Sequence, residues 1–178
     1  MTGEVVLSAP HLKRGYHRLW YTDREATRDV ASSDPASNLA ERWHRTGDVG
    51  HLDDQGRLWI EGRLPHVIAT ATGPITPVGP EQAIEGVPGV ARAAVVGVGP
   101  RGLQQCVAVV ETVPGARRAA LASPDLTRAV REAAPVEIAA VLAVHALPTD
   151  IRHNSKIDRS RLSAWAEQVL AGRPPAAP

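Results

Sequence analysis

Two apolar, valine-rich runs place the strongest constraint on what this chain can fold into. They occupy residues 93–98 and 105–110, and the segment Gly99-Pro100-Arg101-Gly102 separates them. Short apolar runs that are bounded by glycine and proline are typical of buried strands. A short glycine- and proline-containing linker joins two such strands as a hairpin. The sequence therefore predicts a folded domain that contains a β-hairpin at residues 93–110.

Helices are predicted before and after this hairpin. Pro80 and Glu81 favour a helix start, because proline suits the first turn and a carboxylate suits the positive end of the helix dipole. Apolar residues recur at helical spacing near residues 126–134, and residues 158–170 have the pattern of an amphipathic helix. The apolar side chains of the first of these two helices are Leu126, Val130, Ala133 and Ala134, and Ser123 or Asp125 is its candidate cap. Those of the second are Leu162, Trp165, Ala166 and Val169.

Strands and loops complete the order of elements after residue 66. Residues 66–70 and 138–144 have the composition of strands, and residues 72–80 and 145–157 have the composition of loops. The order is then β-loop-α-β-β-α-β-loop-α. This order predicts a small α+β domain with its own core.

The first 62 residues have a different character. They contain a short strand at 4–8, a candidate helix start at 22–25, a loop by composition at 31–38 and a hairpin at 52–60 whose turn is 53–56. Periodic apolar surface is sparse in this segment. We therefore interpret it as a β-rich part of a larger domain that is cut off from its start.

A boundary is expected near Gly62-Arg63-Leu64-Pro65, where the composition changes. The expected organisation is a domain end at residues 1–62, a hinge at 63–66, an α+β domain at 67–170 and a disordered tail at 171–178.

Charge and residue counts argue against several classes of function. The net charge of +1 lacks the basic excess of a nucleic-acid surface. Cys106 is the single cysteine, which excludes an internal disulfide and a multi-thiolate metal site, and the seven histidines lack metal-ligand spacing. No run approaches the roughly 18 apolar residues of a membrane span, and no secretory signal precedes the first strand. We therefore expect no metal site, no nucleic acid and a cytoplasmic location.

Three side chains are candidates for chemistry. Asp48 follows Thr46-Gly47 before a hairpin, where a carboxylate can accept hydrogen bonds from vicinal hydroxyls, although a simple Asx turn is the alternative. Arg63 ends a predicted strand and could contact a phosphate or a ribose, or could be a surface arginine. Lys156 lies in a polar segment before a helix, where it could neutralise a developing negative charge or simply be exposed. It is one of only two lysines among 20 basic residues.

Five motifs in this order resemble the final third of the adenylate-forming superfamily, which contains acyl-CoA synthetases, peptide-synthetase adenylation domains and luciferases. The resemblance extends from Gly3 to Leu170. The motifs are Gly3-Glu4-Val5-Val6, residues 43–50, residues 53–63, Pro88-Gly89-Val90 with residues 93–97, and Asn154-Ser155-Lys156-Ile157-Asp158-Arg159. The resemblance implies the α+β C-terminal lid domain of such an enzyme, preceded by a β-rich remnant of the large N-terminal domain.

The resemblance also implies roles for the candidate side chains. Asp48 corresponds to the aspartate that binds the ribose hydroxyls of ATP and AMP, and Arg63 to the arginine that ends the large domain and contacts the nucleotide. Lys156 corresponds to the catalytic lysine that bridges the acyl carboxylate and the α-phosphate during adenylation. A mobile point charge suits that task, because negative charge accumulates at the phosphate.

The chain departs from the family pattern in three places. Pro65 occupies the hinge position, where the family usually has Asp or Lys. The loop at residues 69–77 lacks the usual pattern of the thioester-forming site. The phosphate loop, the base pocket and the acyl pocket of the family lie upstream of Gly3 and are missing.

Within the superfamily, residues 15–25 and 148–157 look most like the β-lactone synthetases of bacterial long-chain olefin biosynthesis. Those enzymes activate a β-hydroxy fatty acid with ATP and close a β-lactone with loss of AMP. Pro65 fits that chemistry, because a fixed φ reduces rotation at the hinge and ring closure needs no second acceptor such as CoA. Alternatively, a neighbouring residue takes over the hinge.

The expected function is therefore that of the C-terminal part of an ATP-dependent acyl-adenylate-forming enzyme that makes a β-lactone. Mg²⁺ is implied with the nucleotide, without ligands in this chain, and the carboxylic acid and ATP are expected to bind through the missing N-terminal domain. A fatty acyl-CoA ligase fragment is the first alternative. An inactive fragment that binds a partner chain is the second.

Overall fold

The computed structural model describes residues 2–9, 18–27, 43–116, 120–150, 153–173 and 178. The chain divides into two compact units, Met1–Pro65 and His66–Pro178. The loop expected at residues 31–38 and residues 174–177 of the expected disordered tail lie outside the described residues. No helix among the described residues is long and apolar enough to cross a membrane.

The first unit contains a three-stranded antiparallel sheet with the strand order β1-β2-β3. Its elements are β1 (Gly3–Ser8), α1 (Trp20–Thr27), β2 (Trp43–Leu52) and β3 (Leu58–Arg63). The predicted turn between β2 and β3 is confirmed: the amide of Gly56 donates to the carbonyl of Asp53 at 2.9 Å, and the amide of Asp53 donates to the carbonyl of Arg57 at 3.0 Å. The Asp53 carboxylate also accepts the amides of Gln55 and Arg57, which is the local chemistry that favours aspartate at a turn.

Both faces of β3 remain about half exposed. Leu58, Trp59 and Ile60 are consecutive, and their exposed fractions are 49%, 52% and 50%. Because successive side chains of a strand point to opposite faces, each face of the sheet is only partly covered at this strand. A small sheet gains independent stability only when a face is packed, and the described residues of the first unit leave both faces of β3 only partly packed.

The second unit is built on a four-stranded sheet with the order β6-β7-β9-β8. Strands β6 and β7 are antiparallel, β7 and β9 are parallel, and β8 is antiparallel to β9. The elements are β4 (Ile68–Thr70), β5 (Gly73–Ile75), α2 (Val78–Glu85), β6 (Val90–Val98), β7 (Gln105–Thr112), β8 (Ala120–Leu121), α3 (Pro124–Ala133), β9 (Ala140–Val144), β10 (Thr149–Asp150), β11 (His153–Ile157) and α4 (Arg159–Leu170); a 3₁₀ turn, Leu64–His66, precedes β4.

Apolar side chains fill both faces of this sheet. On one face Val95 and Ala108 pack with Ile84 of α2 and Val130 of α3, and on the other face the sheet packs against α4. The second cluster contains Ala94, Val96, Val107, Val109, Leu142, Val144, Leu147, Leu162, Trp165 and Ala166. This burial explains why the two central strands read as continuous apolar runs, since a strand that is covered on both sides has no polar face.

The predicted hairpin, the predicted helices and the predicted cap of α3 are confirmed. Strands β6 and β7 pair as expected, and the sheet continues through β9 at the predicted strand 138–144. Of the two cap candidates for α3, Ser123 is the N-cap, because its hydroxyl accepts the amide of Leu126 at 3.3 Å. Asp158 caps α4 by accepting the amide of Arg161 at 3.0 Å.

Two predicted loops contain strands. The expected loop at 72–80 includes β5, which pairs with β4, and the helix that follows begins at Val78. The expected loop at 145–157 includes β10 and β11, which pair with each other. Both expectations were wrong for the same reason: prolines, glycines and polar residues are depleted from strands on average, but short two-stranded pairings tolerate them because their side chains need not enter a core.

Side chains from α2 and α4 bind the backbone of β6. The amide of Ala93 donates to Glu85 Oε1 at 3.1 Å, and the amide of Val95 donates to Glu81 Oε1 at 2.9 Å. Ser163 of α4 donates its hydroxyl to the carbonyl of Gly97 at 2.7 Å. These bonds fix both helices to the same strand.

Candidate functional site

Asp48 and Arg63 lie opposite each other on paired strands. They are register partners in the β2–β3 ladder, and Nε of Arg63 lies 3.0 Å from Oδ1 of Asp48. The side chain of Asp48 is 32% exposed and that of Arg63 is 55% exposed. Sequence reasoning selected both residues separately, and the structure brings them together as an accessible ion pair.

Thr46 and Gly47, inside β2 where its pairing with β1 shifts register, position Asp48. The hydroxyl of Thr46 donates to the carbonyl of Val5 at 2.9 Å and accepts the amide of Asp48 at 2.9 Å, so it ties this segment of β2 to β1. Gly47 has a φ of +72°, a conformation that glycine adopts without steric cost. A Cβ at Gly47 would also lie 3.3 Å from the Arg63 guanidinium.

The pair Glu4–Arg45 adds a second link between β1 and β2. Nε of Arg45 donates to Oε2 of Glu4 at 2.8 Å, and its NH2 group contacts the same oxygen. Sequence reasoning quoted Glu4 and Arg45 only as motif positions and gave them no role. Their positions on different strands, far apart in sequence, gave no local signal of pairing.

The geometry around Asp48 suits a hydroxyl-bearing ligand. A carboxylate offers about four lone-pair sites, and the contact with Arg63 occupies one of its two oxygens. Arg63 raises the local positive charge, and its guanidinium can contact a second, anionic group because more than half of the side chain is exposed. The arrangement can therefore hold a neutral diol beside a negative charge.

Lys156 lies in β11, one residue before the strand ends, and its side chain is exposed. The expectation that it lies on a loop was therefore wrong in detail. Ile157 packs against the second core cluster, and the amide of Asp158 donates to the carbonyl of Pro148 at 2.9 Å. The backbone beside Lys156 is thus anchored while the ammonium group remains accessible.

A buried ion pair lies close to Lys156 in sequence. Arg159, the first residue of α4, donates through Nε to Oε1 of Glu81 at 3.2 Å and through NH2 to Oε2 at 2.6 Å. Glu81 is only 7% exposed. Burial raises the pKa of the Glu81 carboxyl above its usual range, while the guanidinium of Arg159 and the amide of Val95 act in the opposite direction.

Pro65 lies in the exposed 3₁₀ turn Leu64–His66, and it is the last residue of the first unit. A proline here fixes φ near −65° and removes one rotatable dihedral from the connection.

The segment after this turn is held in the second unit by backbone hydrogen bonds. The carbonyl of Ala69 accepts the amides of Gly102 and Gln104, both at 3.0 Å, and the amide of Ala69 donates to the side chain of Gln104 at 2.9 Å. Thr70 closes the β4–β5 turn by donating its hydroxyl to the carbonyl of Gly73 at 2.6 Å. A cleft of about 390 Å³ adjoins this turn, and Cys106 is among its lining residues.

Among the residues that the structure describes, no group of three or more His, Cys, Asp or Glu side chains could hold a metal ion.

No protein-family model matches the chain. Two curated relatives are named olefin beta-lactone synthetase. The one from Xanthomonas campestris pv. campestris is 41% identical over 170 residues, which is 93% of this chain and 30% of the relative. The one from Stenotrophomonas maltophilia is 36% identical over 176 residues, which is 96% of this chain and 31% of the relative. The long-chain-fatty-acid–CoA ligase FadD13 of Mycobacterium tuberculosis is 38% identical over 96 residues, 54% of this chain and 17% of the ligase.

Solved structures match the fold over nearly the whole chain. ATP-bound MatB from Rhodopseudomonas palustris superposes with a TM-score of 0.72 at 21% identity, covering 95% of this chain and 31% of that structure. The amide bond synthetase McbA from Marinactinospora thermotolerans gives a TM-score of 0.70 at 26% identity, covering 93% and 31%. The chain spans about 30% of the length of these proteins. By sequence and by fold, it matches the C-terminal portion of the adenylate-forming enzymes, and over nearly its whole length it is similar in sequence to olefin beta-lactone synthetases.

Proposed function

We propose that this chain is the C-terminal part of an ATP-dependent, cytoplasmic enzyme that activates a β-hydroxy fatty acid as an acyl-adenylate and closes a β-lactone. One observation carries the proposal: sequence similarity to two olefin beta-lactone synthetases covers 93% and 96% of the chain, whereas similarity to the fatty-acid ligase covers 54%. Similarity that extends along nearly the whole chain favours the lactone-forming reaction over thioester formation.

The exposed surface of the first unit supports the proposal that a larger domain covers it. Both faces of β3 are half exposed, and Leu52 and Leu7 are 65% and 47% exposed. Exposed apolar side chains grouped on a small sheet are typical of a surface that packs against further protein. We assign residues 1–62 to the end of a large N-terminal domain, residues 63–66 to a hinge and residues 67–170 to the lid.

In this proposal Asp48 accepts hydrogen bonds from the ribose hydroxyls of ATP, and Arg63 contacts the nucleotide beside it. The 3.0 Å ion pair supports these roles, because it orients the carboxylate while leaving lone pairs and the guanidinium accessible. Mg²⁺ accompanies the nucleotide, and we assign no residue of the chain to it.

Lys156 is proposed as the catalytic residue of the first step. A carboxylate oxygen of the acid attacks the α-phosphorus of ATP, the bond to pyrophosphate breaks, and pyrophosphate leaves. Negative charge increases on the α-phosphate as this occurs, and an ammonium group at that place stabilises it. The Lys156 side chain is exposed while the backbone beside it is anchored. This supports the role, because the ammonium group can meet a phosphate without local unfolding of the strand.

The second step is intramolecular. The β-hydroxyl oxygen attacks the acyl carbon, the bond between that carbon and the phosphate oxygen breaks, and AMP leaves while the hydroxyl proton passes to a base that we do not assign. Pro65 supports this sequence of steps, since ring closure requires no new substrate and a restrained connection does not impede it.

A chimera tests the proposal. In the grafted enzyme, this chain replaces the C-terminal part that it matches in the Xanthomonas campestris olefin beta-lactone synthetase. The grafted enzyme is given ATP, a long-chain β-hydroxy acid and excess CoA, and the products are identified by mass spectrometry. We expect β-lactone and AMP from the graft, background turnover from the same N-terminal part alone, and background ATP–pyrophosphate exchange from the 178-residue chain by itself.

Each alternative predicts a different product. Acyl-CoA as the main product of the grafted enzyme would favour the fatty acyl-CoA ligase. Absence of pyrophosphate exchange in a soluble, folded graft would favour the inactive fragment that binds a partner. Lys156→Ala in the graft is the matched control, and it should lower adenylation by about a hundredfold, the usual loss when one transition-state charge contact is removed.

A further inference from the structure

Arg159 and Glu81 join the start of α4 to the start of α2 inside the second unit. The two nitrogens of Arg159 bind the two oxygens of Glu81 at 3.2 and 2.6 Å, so the guanidinium meets the carboxylate as a planar fork. The amide of Val95 binds the same carboxylate at 2.9 Å. Both residues are largely buried: the side chain alone is 18% exposed in Arg159 and 9% exposed in Glu81, whose whole-residue value is 7%.

This pair is connected to Lys156 by a very short stretch of backbone. Arg159 follows Lys156 by three residues. Between them, Ile157 packs against the second core cluster and the amide of Asp158 donates to the carbonyl of Pro148. Because contacts hold Ile157, Asp158 and Arg159, the position of Arg159 constrains the position of the Lys156 backbone. Among the residues that the structure describes, no hydrogen bond or ion pair holds the exposed ammonium group, so the backbone behind it sets its mean position.

We infer that Glu81 and Arg159 are positioning residues for Lys156: they hold the end of β11 and the first turn of α4 at a fixed place on β6, from which Lys156 acts. This inference rests on the proposed role of Lys156 in adenylation. It assigns a function to the pair beyond stability, because a displacement of about 1 Å of a catalytic group can lower its rate contribution by about a hundredfold.

The anchoring part of the inference is measured on the 178-residue chain without any substrate. Amide hydrogen exchange is followed in wild type, in Arg159→Met, which keeps the length of the aliphatic stem, and in Arg161→Met. Arg161 is the matched control, since it is an exposed arginine on the same helix. We expect faster exchange at residues 156–158 in Arg159→Met with unchanged protection of β7, and no change in Arg161→Met.

The functional part is measured in the grafted enzyme with a double-mutant cycle. Adenylation is followed by pyrophosphate exchange in Lys156→Ala, Arg159→Met and the double variant. If Arg159 acts through Lys156, Arg159→Met lowers kcat for adenylation by up to about a hundredfold, leaves KM for ATP nearly unchanged, and causes little further loss in the Lys156→Ala background. Lactone formation from synthetic acyl-adenylate stays near the wild-type rate, since that step does not use Lys156.

Two conservative variants provide a test if Arg159→Met does not fold. Arg159→Lys keeps the charge but loses the fork, and Glu81→Gln keeps the acceptor for Val95 but loses the charge, so either tests the pair if Arg159→Met unfolds. Equal losses in adenylation and lactone closure, or additive losses with Lys156→Ala, would refute the positioning role. If Lys156→Ala alone leaves adenylation unchanged, the proposed function of Lys156 fails instead, and the hydrogen-exchange result still decides whether the pair anchors the strand end.

Discussion

Truncating Leu162 to alanine should strongly destabilise the second unit. Leu162 is fully buried at 0% exposure, on the face of α4 that packs against β6 and β7. The change removes three carbon atoms, which at about 0.8 kcal/mol for each buried methylene amounts to roughly 2.4 kcal/mol of transfer free energy. The surrounding valines are held in a sheet and cannot fully collapse into the space, so a cavity term brings the expected loss to about 3 to 5 kcal/mol.

The matched control is Leu170→Ala at the end of the same helix. Leu170 is 41% exposed, so water can fill the space that the side chain leaves and the expected loss is about 1 kcal/mol. The free energy of opening is measured by native-state hydrogen exchange at β7, which reports on the second unit by itself. A loss below about 1.5 kcal/mol for Leu162→Ala, or equal losses for both variants, would show that α4 does not close the second core in the way described.

Three further outcomes are expected. Gly50→Ala should weaken the β2–β3 pairing by about 1 to 3 kcal/mol, because a Cβ there would lie 2.3 Å from the carbonyl oxygen of Trp59. Gly79→Ala should stabilise α2 slightly, because a Cβ there would meet open space and alanine favours a helix. Thermal melts of the two variants check this, and equal melting temperatures would contradict it. Hydrogen bonds from Trp59 and Arg57 lower the pKa of Asp53 from 3.8 to about 2, so their contribution to hairpin stability is complete above pH 3.8 and is lost as the pH falls through about 2. In the folded chain the indole N–H resonance of Trp59 should shift with a midpoint near pH 2, and a midpoint at the ordinary value of 3.8 would contradict the assignment. Pro65→Asp in the grafted enzyme should leave lactone formation largely unchanged; if lactone formation disappears while pyrophosphate exchange persists, the proline sets a pose that ring closure requires.

Sequence patterns predicted the second unit well where the signal was local. The central hairpin, the cap at Ser123 and the amphipathic helix α4 all follow from patterns within about 15 residues. The parallel pairing of β7 with β9 and the strand order β6-β7-β9-β8 depend on contacts between distant segments, which no local pattern specifies.

In the candidate site, too, local patterns identified the residues but not the contacts between distant segments. Asp48, Arg63 and Lys156 could be selected from motifs, but the 3.0 Å contact between Asp48 and Arg63 required the strand register. Glu81 shows the limit of a local pattern: its predicted position in the first turn of a helix is confirmed, but its buried contact with Arg159, 78 residues along the chain, was not predicted. The local sequence of a first turn is the same whether its carboxylate is exposed to solvent or buried against a distant arginine.

The side chains that bind β6 also have a consequence for self-association. β6 is the outer strand of its sheet, with β7 on one side only, so its outward amides could pair with a strand of another molecule. Glu85 and Glu81 occupy the amides of Ala93 and Val95, and Ser163 occupies the carbonyl of Gly97. To pair at Ala93, Val95 and Gly97, an incoming strand would have to displace two carboxylates and a hydroxyl. The valine-rich hairpin that most constrains the fold is thereby protected, in the folded state, against edge-to-edge aggregation.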